Sequence, residues 1–269
     1  MRKMLEKYYA LFSASLQQSM AYRFGFFTSF LGEVMKICVM LAVWMAVYRQ
    51  RSTIAGFDYP MMITYLLVSQ TVNNVYGFKN DAERLISKKI LDGSIVFDLL
   101  RPVRFVNARL AENAGQTILQ AVFSGLTLLC FRVFLPQLSG PSSIAHGALF
   151  LVSMCAGFFI MFSVSAISGL LAFWLMNNWG LRSAKAAIVN FFSGALVPIA
   201  MMPGWMQGVM EVLPFKNIVY VPTMIYMGQY DIEETLVRIG MQILWAAVMW
   251  LLAKALCGLA IRRVSINGG

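Results

Sequence analysis

Six stretches of this chain are apolar for about the length needed to cross a lipid bilayer, and that pattern excludes most soluble folds. They span residues 24–47, 61–78, 114–135, 144–176, 184–201 and 236–261. A hydrocarbon core of ~30 Å takes ~20 helical residues. The segments between the runs are short, so no soluble core is available to bury so much apolar surface. Of the 269 residues, 59% are hydrophobic and 13% charged, about half the ~25% charged of a soluble domain. The expected fold is an all-α polytopic membrane protein with six transmembrane helices. An amphipathic interfacial helix would precede them, and re-entrant helices would lie between the fifth and sixth. By residue number this divides the chain into a connecting helix at 1–22 and a transmembrane domain at 23–269. The domain includes a cytoplasmic segment at 79–102 and an external one at 202–228.

The formal charge is +10. On a soluble domain it would suggest nucleic acid, but here the basic residues sit between apolar runs. That placement fits lipid headgroups and topology, so membrane lipids are expected partners and nucleic acid is not. With the N-terminus inside, fifteen of the 22 lysines and arginines fall on the inner side. Arg49, Arg51, Lys216 and Arg238 fall on the outer side, and Lys36, Arg132 and Lys254 lie within runs. The positive-inside rule therefore places both termini in the cytoplasm. Cys38, Cys130, Cys155 and Cys257 all lie in apolar runs with no C-x-x-C pair, so neither a disulfide framework nor a metal site is expected. The start of the chain does not read as a signal peptide.

Leu5, Tyr8, Phe12, Leu16 and Met20 recur at helical spacing beside Lys3, Lys7, Ser13 and Gln17. This predicts an amphipathic helix at the membrane surface. A second amphipathic helix is predicted over 81–93. Asp81 and Glu83 load its start, Lys88 and Lys89 its end, and Gly93 stops it. Leu85, Ile86 and Ile90 form its narrow apolar stripe. It reads either as a solvated loop or as a docking helix for a cytoplasmic partner. After the fifth run, Pro198, Pro203, Pro214 and Pro222 interrupt a stretch too apolar for an ordinary loop. Short helices dipping into the outer leaflet satisfy both facts.

Two blocks carry a family resemblance. One is Asp92-Gly93-Ser94 with Asp98-Leu99-Leu100-Arg101-Pro102. The other is Ser193-Gly194, Val197-Pro198-Ile199, Met202-Pro203-Gly204-Trp205, Leu213-Pro214-Phe215 and Val221-Pro222. At these positions, and in length and span order, the chain resembles the ABC-2 type permeases, in particular a short six-span bacterial branch encoded apart from its ATPase. The resemblance implies a type V exporter half in the bacterial cytoplasmic (inner) membrane. It implies a coupling helix between the second and third spans, and a second permease copy or homologue completing the pore. It also implies a substrate path between spans one, two and five, and a separate ABC ATPase subunit carrying ATP and Mg. The sequence itself contains no G-x-x-x-x-G-K-[S/T], so these residues form no P-loop. This chain is expected to be no enzyme and to bind no cofactor. Alternatives of other classes are a non-transporting membrane scaffold and a secondary transporter; the latter predicts internal repeats that are not found.

On this reading the ATPase-coupling residues are Arg84, Leu85, Ile86, Lys88, Lys89, Ile90, Asp92 and Gly93. Leu85, Ile86 and Ile90 would enter a groove on the ATPase, with Arg84, Lys88 and Lys89 on its rim. Candidates for the substrate path are polar residues inside runs. Glu33 and Lys36 stand one turn apart in the first run, where charge is costly. Tyr65, Ser69 and Asn73 share a face of the second, and Asn190 and Ser193 lie in the fifth. The same face could equally serve interhelical hydrogen bonding. Ser153, Gly157, Ser165 and Gly169 form a small-residue ladder that reads as helix packing. His146, the one histidine, reads as structural or interfacial, and no serine hydrolase site is expected.

Overall fold

The computed structural model describes residues 2–21, 23–77, 82–175 and 179–262. The chain folds almost entirely into helices: α1 (Arg2–Ala21), α2 (Arg23–Tyr48), α3 (Tyr59–Val75), α4 (Ala82–Leu91), α5 (Ile95–Leu99), α6 (Phe105–Phe134), α7 (Ile144–Leu170), α8 (Trp179–Phe192), α9 (Gly204–Val212), α10 (Tyr220–Tyr226) and α11 (Ile232–Ile261). Between α2 and α3, two-residue strands Thr53–Ile54 and Phe57–Asp58 pair antiparallel through an Ala55-Gly56 turn. Asp58 then caps α3 by accepting from the Met61 N–H at 2.8 Å, which satisfies a donor that the first helical turn leaves open.

Among the described residues, four helical stretches are long and apolar enough to cross a membrane: Phe30–Tyr48, Phe105–Phe134, Ile144–Phe173 and Ile232–Ile261. They establish an all-α, multi-pass membrane protein. The other two expected crossings are shorter. Helix α3 has 17 residues and α8 has 14, so they rise ~25 Å and ~21 Å. The continuous fifth helix expected over 184–201 is not formed. It stops at Phe192, and the chain turns through Gly194 at φ 76° into a single 3-10 turn at Ile199–Met201. Each following proline opens a new piece: Pro198 before that turn, Pro203 before α9, Pro214 before another 3-10 turn, and Pro222 in the first turn of α10. Proline is tolerated there because those N–H groups have no partner inside a helix.

Helix α7 is the central post, packing along α11, α4 and α10. Its small-residue ladder sets those approaches. Ser153 donates to Gln242 Oε1 of α11 at 2.8 Å. At Gly169 a Cβ would stand 3.0 Å from Glu83 backbone atoms and from Ile86 Cβ, so α4 sits against α7 at a distance that a larger residue would crowd. Twelve of the seventeen residues of α3 are buried, whereas α2 buries almost none of its apolar window. Helix α3 is therefore an inner helix, and α2 leaves most of its apolar surface uncovered. Helix α1 lies along α6, where Ser15 Oγ donates to the Glu112 carbonyl at 2.8 Å. Its Leu5, Tyr9 and Met20 stay exposed. His146 works as a structural pin. Its backbone N–H is capped by Ser143, and its Nε2 lies 3.0 Å from the Tyr230 carbonyl oxygen.

Candidate functional site

The candidate site is the α4–α5 element and the buried charges that attach it to the bundle. Helix α4 begins at Ala82 and ends at Leu91; Lys79, Asn80 and Asp81 lie outside the described residues. Gly93, at φ 75°, turns the chain into α5. Asp92 Oδ1 accepts from both the N–H and the hydroxyl of Ser94, at 3.0 and 2.6 Å. Those two hydrogen bonds hold the Asp92 carboxyl below its ordinary value.

The apolar stripe of α4 points inward. Ile86 is 0% exposed and belongs to a core of α4, α6, α7 and α11 residues, against which Ile90 also packs. Leu85 is half-buried. Burial against α7 takes the apolar surface of Ile86 within this chain, the surface expected to enter a partner's groove. Lys89, expected at the rim, is paired within the chain and partly exposed. Its Nζ lies 2.5 Å from Asp98 Oδ2. Asp98 is buried in α5 and also meets Arg101 and Arg109 at 3.5 Å, and Arg109 reaches Glu112 at 2.7 Å. This cluster ties α4 and α5 to the start of α6. What α4–α5 leaves outside is a different set. Arg84, Lys88, Leu91 and Asp92 line a groove with Trp179 and Arg182 of α8. Beyond it, Phe97 and Leu100 are 71% and 78% exposed.

Sequence reasoning missed one buried connection. Glu83, fully buried in α4, has its Oε2 2.5 Å from Lys185 Nζ of α8. Ser168 of α7 donates to Glu83 Oε1 at 2.7 Å, and Lys185 donates to Ser165 Oγ, also of α7, at 3.2 Å. Ser165 of the ladder and its neighbour Ser168 thus stand beside the ions, and one ion pair links α4 to α8 across α7. In the sequence Glu83 reads as a helix-start charge and Lys185 as a topology signal. Only the serines, at positions where α7 faces both helices, hint at polar cargo there.

The substrate-path candidates divide. Tyr65, Ser69 and Ser193 are buried, and their hydroxyls are committed inside the chain. Tyr65 donates to the Gly194 carbonyl at 2.6 Å and Ser69 to that of Leu66 at 3.1 Å, while Ser193 Oγ lies 3.5 Å from the Asn190 carbonyl. Gln70 adds a bond to the Ala195 carbonyl at 2.7 Å. The polar face of α3 therefore stitches that helix to the turn after α8. Asn73 and Asn190 meet at 3.3 Å and line a small cavity with Tyr76 and Lys185. Glu33 and Lys36 stay on α2, partly or largely uncovered.

Residues 34–268 match the family model described as ABC-2 family transporter protein. No curated protein matches the chain.

Proposed function

The chain belongs to the ABC-2 transporter family and is an ABC transporter permease; from that premise we propose that it is the membrane half of an ATP-driven exporter of lipophilic or amphiphilic compounds. It lies in a bacterial inner membrane with both termini cytoplasmic. The six crossings are the four long helices, α3, and α8 extended by the broken segment to Met201. The 202–228 segment re-enters the outer leaflet. A second copy or a homologous permease covers the uncovered α2, and Glu33, Lys36, Asn73 and Asn190 contribute to the path between the halves. ATP and Mg belong to a separate ATPase subunit.

One observation carries the reading: α4–α5 presents Leu91, Phe97 and Leu100 outward while ion pairs fix its inner side to α8 and α6. A rigid element with an exposed apolar tip can pass a push from a partner into the bundle. Closure of the ATPase pair would drive alternating access by moving α4 and α8 together. Phe97 and Leu100 are the anchors, and Arg84 and Lys88 lie at the rim. Buried apolar anchors dominate such contacts, at ~2 kcal/mol or more each, or about 30-fold in Kd. The test is co-purification of a Phe97→Asp/Leu100→Asp variant with the ATPase subunit. The permease should stay monodisperse while bound ATPase and transport are lost. Wild-type ATPase retention and transport would remove α5 as the docking element and favour a different contact or a scaffold role.

A further inference from the structure

A second opening lies at the same end of the bundle, where α6 begins and α11 ends. It is lined by Leu99, Val103 and Arg104 on one side and by Lys254, Cys257 and Ile261 on the other. Lys254 sits seven residues before the end of α11, ~10 Å into a membrane-crossing helix. A lysine at that depth is costly unless it is paired or reaches water. Its ammonium lies 4.8 Å from the Trp250 ring, and among the described residues it forms no ion pair. The Arg104 side chain is exposed at the mouth and is likewise without an ion pair among the described residues, while its backbone N–H donates to Tyr8 Oη at 3.3 Å. The nearby carboxylate, Asp98, is already held by Lys89 and Arg109. Among the described residues, the opening thus has two cations without an ion-pair partner, one at the rim and one deeper, on walls that are otherwise mostly apolar.

We propose that this opening binds an anionic phospholipid of the inner leaflet, its phosphate between Arg104 and Lys254 and an acyl chain along Leu99, Val103, Cys257 and Ile261. The chemistry matches at both ends. Basic openings between transmembrane helices on the cytoplasmic side suit anionic headgroups, and the apolar wall distinguishes a lipid from a free anion. The lipid would bridge the start of α6, which the Asp98 cluster ties to α4–α5, to the end of α11. The proposal does not depend on the transport reading.

The test is native mass spectrometry of the detergent-purified chain titrated with dioleoyl phosphatidylglycerol, and in parallel with dioleoyl phosphatidylcholine and inorganic phosphate. Phosphatidylglycerol should bind at least tenfold tighter than phosphatidylcholine. Arg104→Gln, a surface change, and Lys254→Gln should each weaken it about fivefold, matching ~1 kcal/mol per basic residue near a membrane surface. Lys254→Arg should restore it. Equal binding of the two lipids, or unchanged phosphatidylglycerol binding in both Gln variants, would overturn the proposal. So would displacement of the lipid by millimolar inorganic phosphate, which would mark a free-anion site.

Discussion

Breaking the Glu83–Lys185 pair from either side should cost far more than replacing it whole. Both side chains are almost fully buried, at 0% and 6% exposure. Removing one partner strands the other charge in a low-dielectric interior, which costs about 3–5 kcal/mol. Replacing both with uncharged groups of similar size removes the desolvation cost along with the attraction, and is often near neutral. Glu83→Gln and Lys185→Met are the single variants, and their combination closes the double-mutant cycle. At about 2–4 °C per kcal/mol for a protein somewhat smaller than this one, each single variant should lose roughly 6–20 °C in apparent melting temperature in detergent. The double variant should recover most of that. Lys185→Met adds a signature of its own. A stranded Glu83 can escape its penalty by taking up a proton, so that variant should lose least at low pH. Glu83→Gln has no carboxylate to protonate and should show no such relief. Single variants within 2 °C of wild type, or a double variant as damaged as the sum of its parts, would refute the reasoning. Each variant should also be scored for ATPase-driven transport, because under the proposed coupling a pair linking α4 to α8 would transmit as well as stabilise.

Two further outcomes are expected. Gly194→Ala places a Cβ 3.0 Å from Tyr65 Oη and 3.2 Å from Tyr220 Cβ on a backbone at φ 76°. With ~1–2 kcal/mol for the left-handed backbone and ~1 kcal/mol for the disturbed Tyr65 bond, it should lose about 2–3 kcal/mol, read as a lowered melting temperature; an unchanged value would mean the turn relaxes freely. In a cysteine-free background, Ser94→Cys and Ser142→Cys should react with a membrane-impermeant maleimide from the inside and the outside respectively, and labelling of both from one side would refute the topology.

Period and composition revealed the elements that meet lipid, because a bilayer imposes length and apolarity on each crossing separately. They worked less well where helices meet one another. The stripe Leu85–Ile86–Ile90 was visible as a face, but a face does not say whether its partner is another subunit or α7. Gly169 decides that, and its part emerges only once α4 is seen lying on it. The polar residues of α3 were visible too, and interhelical bonding and path lining remained equally open. Tyr65 and Gln70 prove to bond main-chain carbonyls 129 and 125 residues away, a pairing no local pattern encodes. The fifth run misled for a related reason. Its apolarity continues to Met201, but the helix stops at Phe192 and the chain turns at Gly194, because hydropathy cannot register a change in the sign of φ.

The way α3 holds that turn has a consequence for which substitutions the protein can absorb. Tyr65 and Gln70 bond to the carbonyls of Gly194 and Ala195, atoms that every amino acid supplies. The identity of residue 195 is thus invisible to Gln70, and that position can vary in chemistry as long as the side chain fits its buried site. Residue 194 is limited by backbone angle and by the space around it. The donors have no such latitude. Shortening either one leaves a carbonyl without its bond in a buried setting, at a cost of ~1–3 kcal/mol. Tolerance at this joint is therefore lopsided. The irregular segment can drift within the room available while the regular helix beside it stays fixed, the reverse of the usual expectation that loops vary because nothing depends on them.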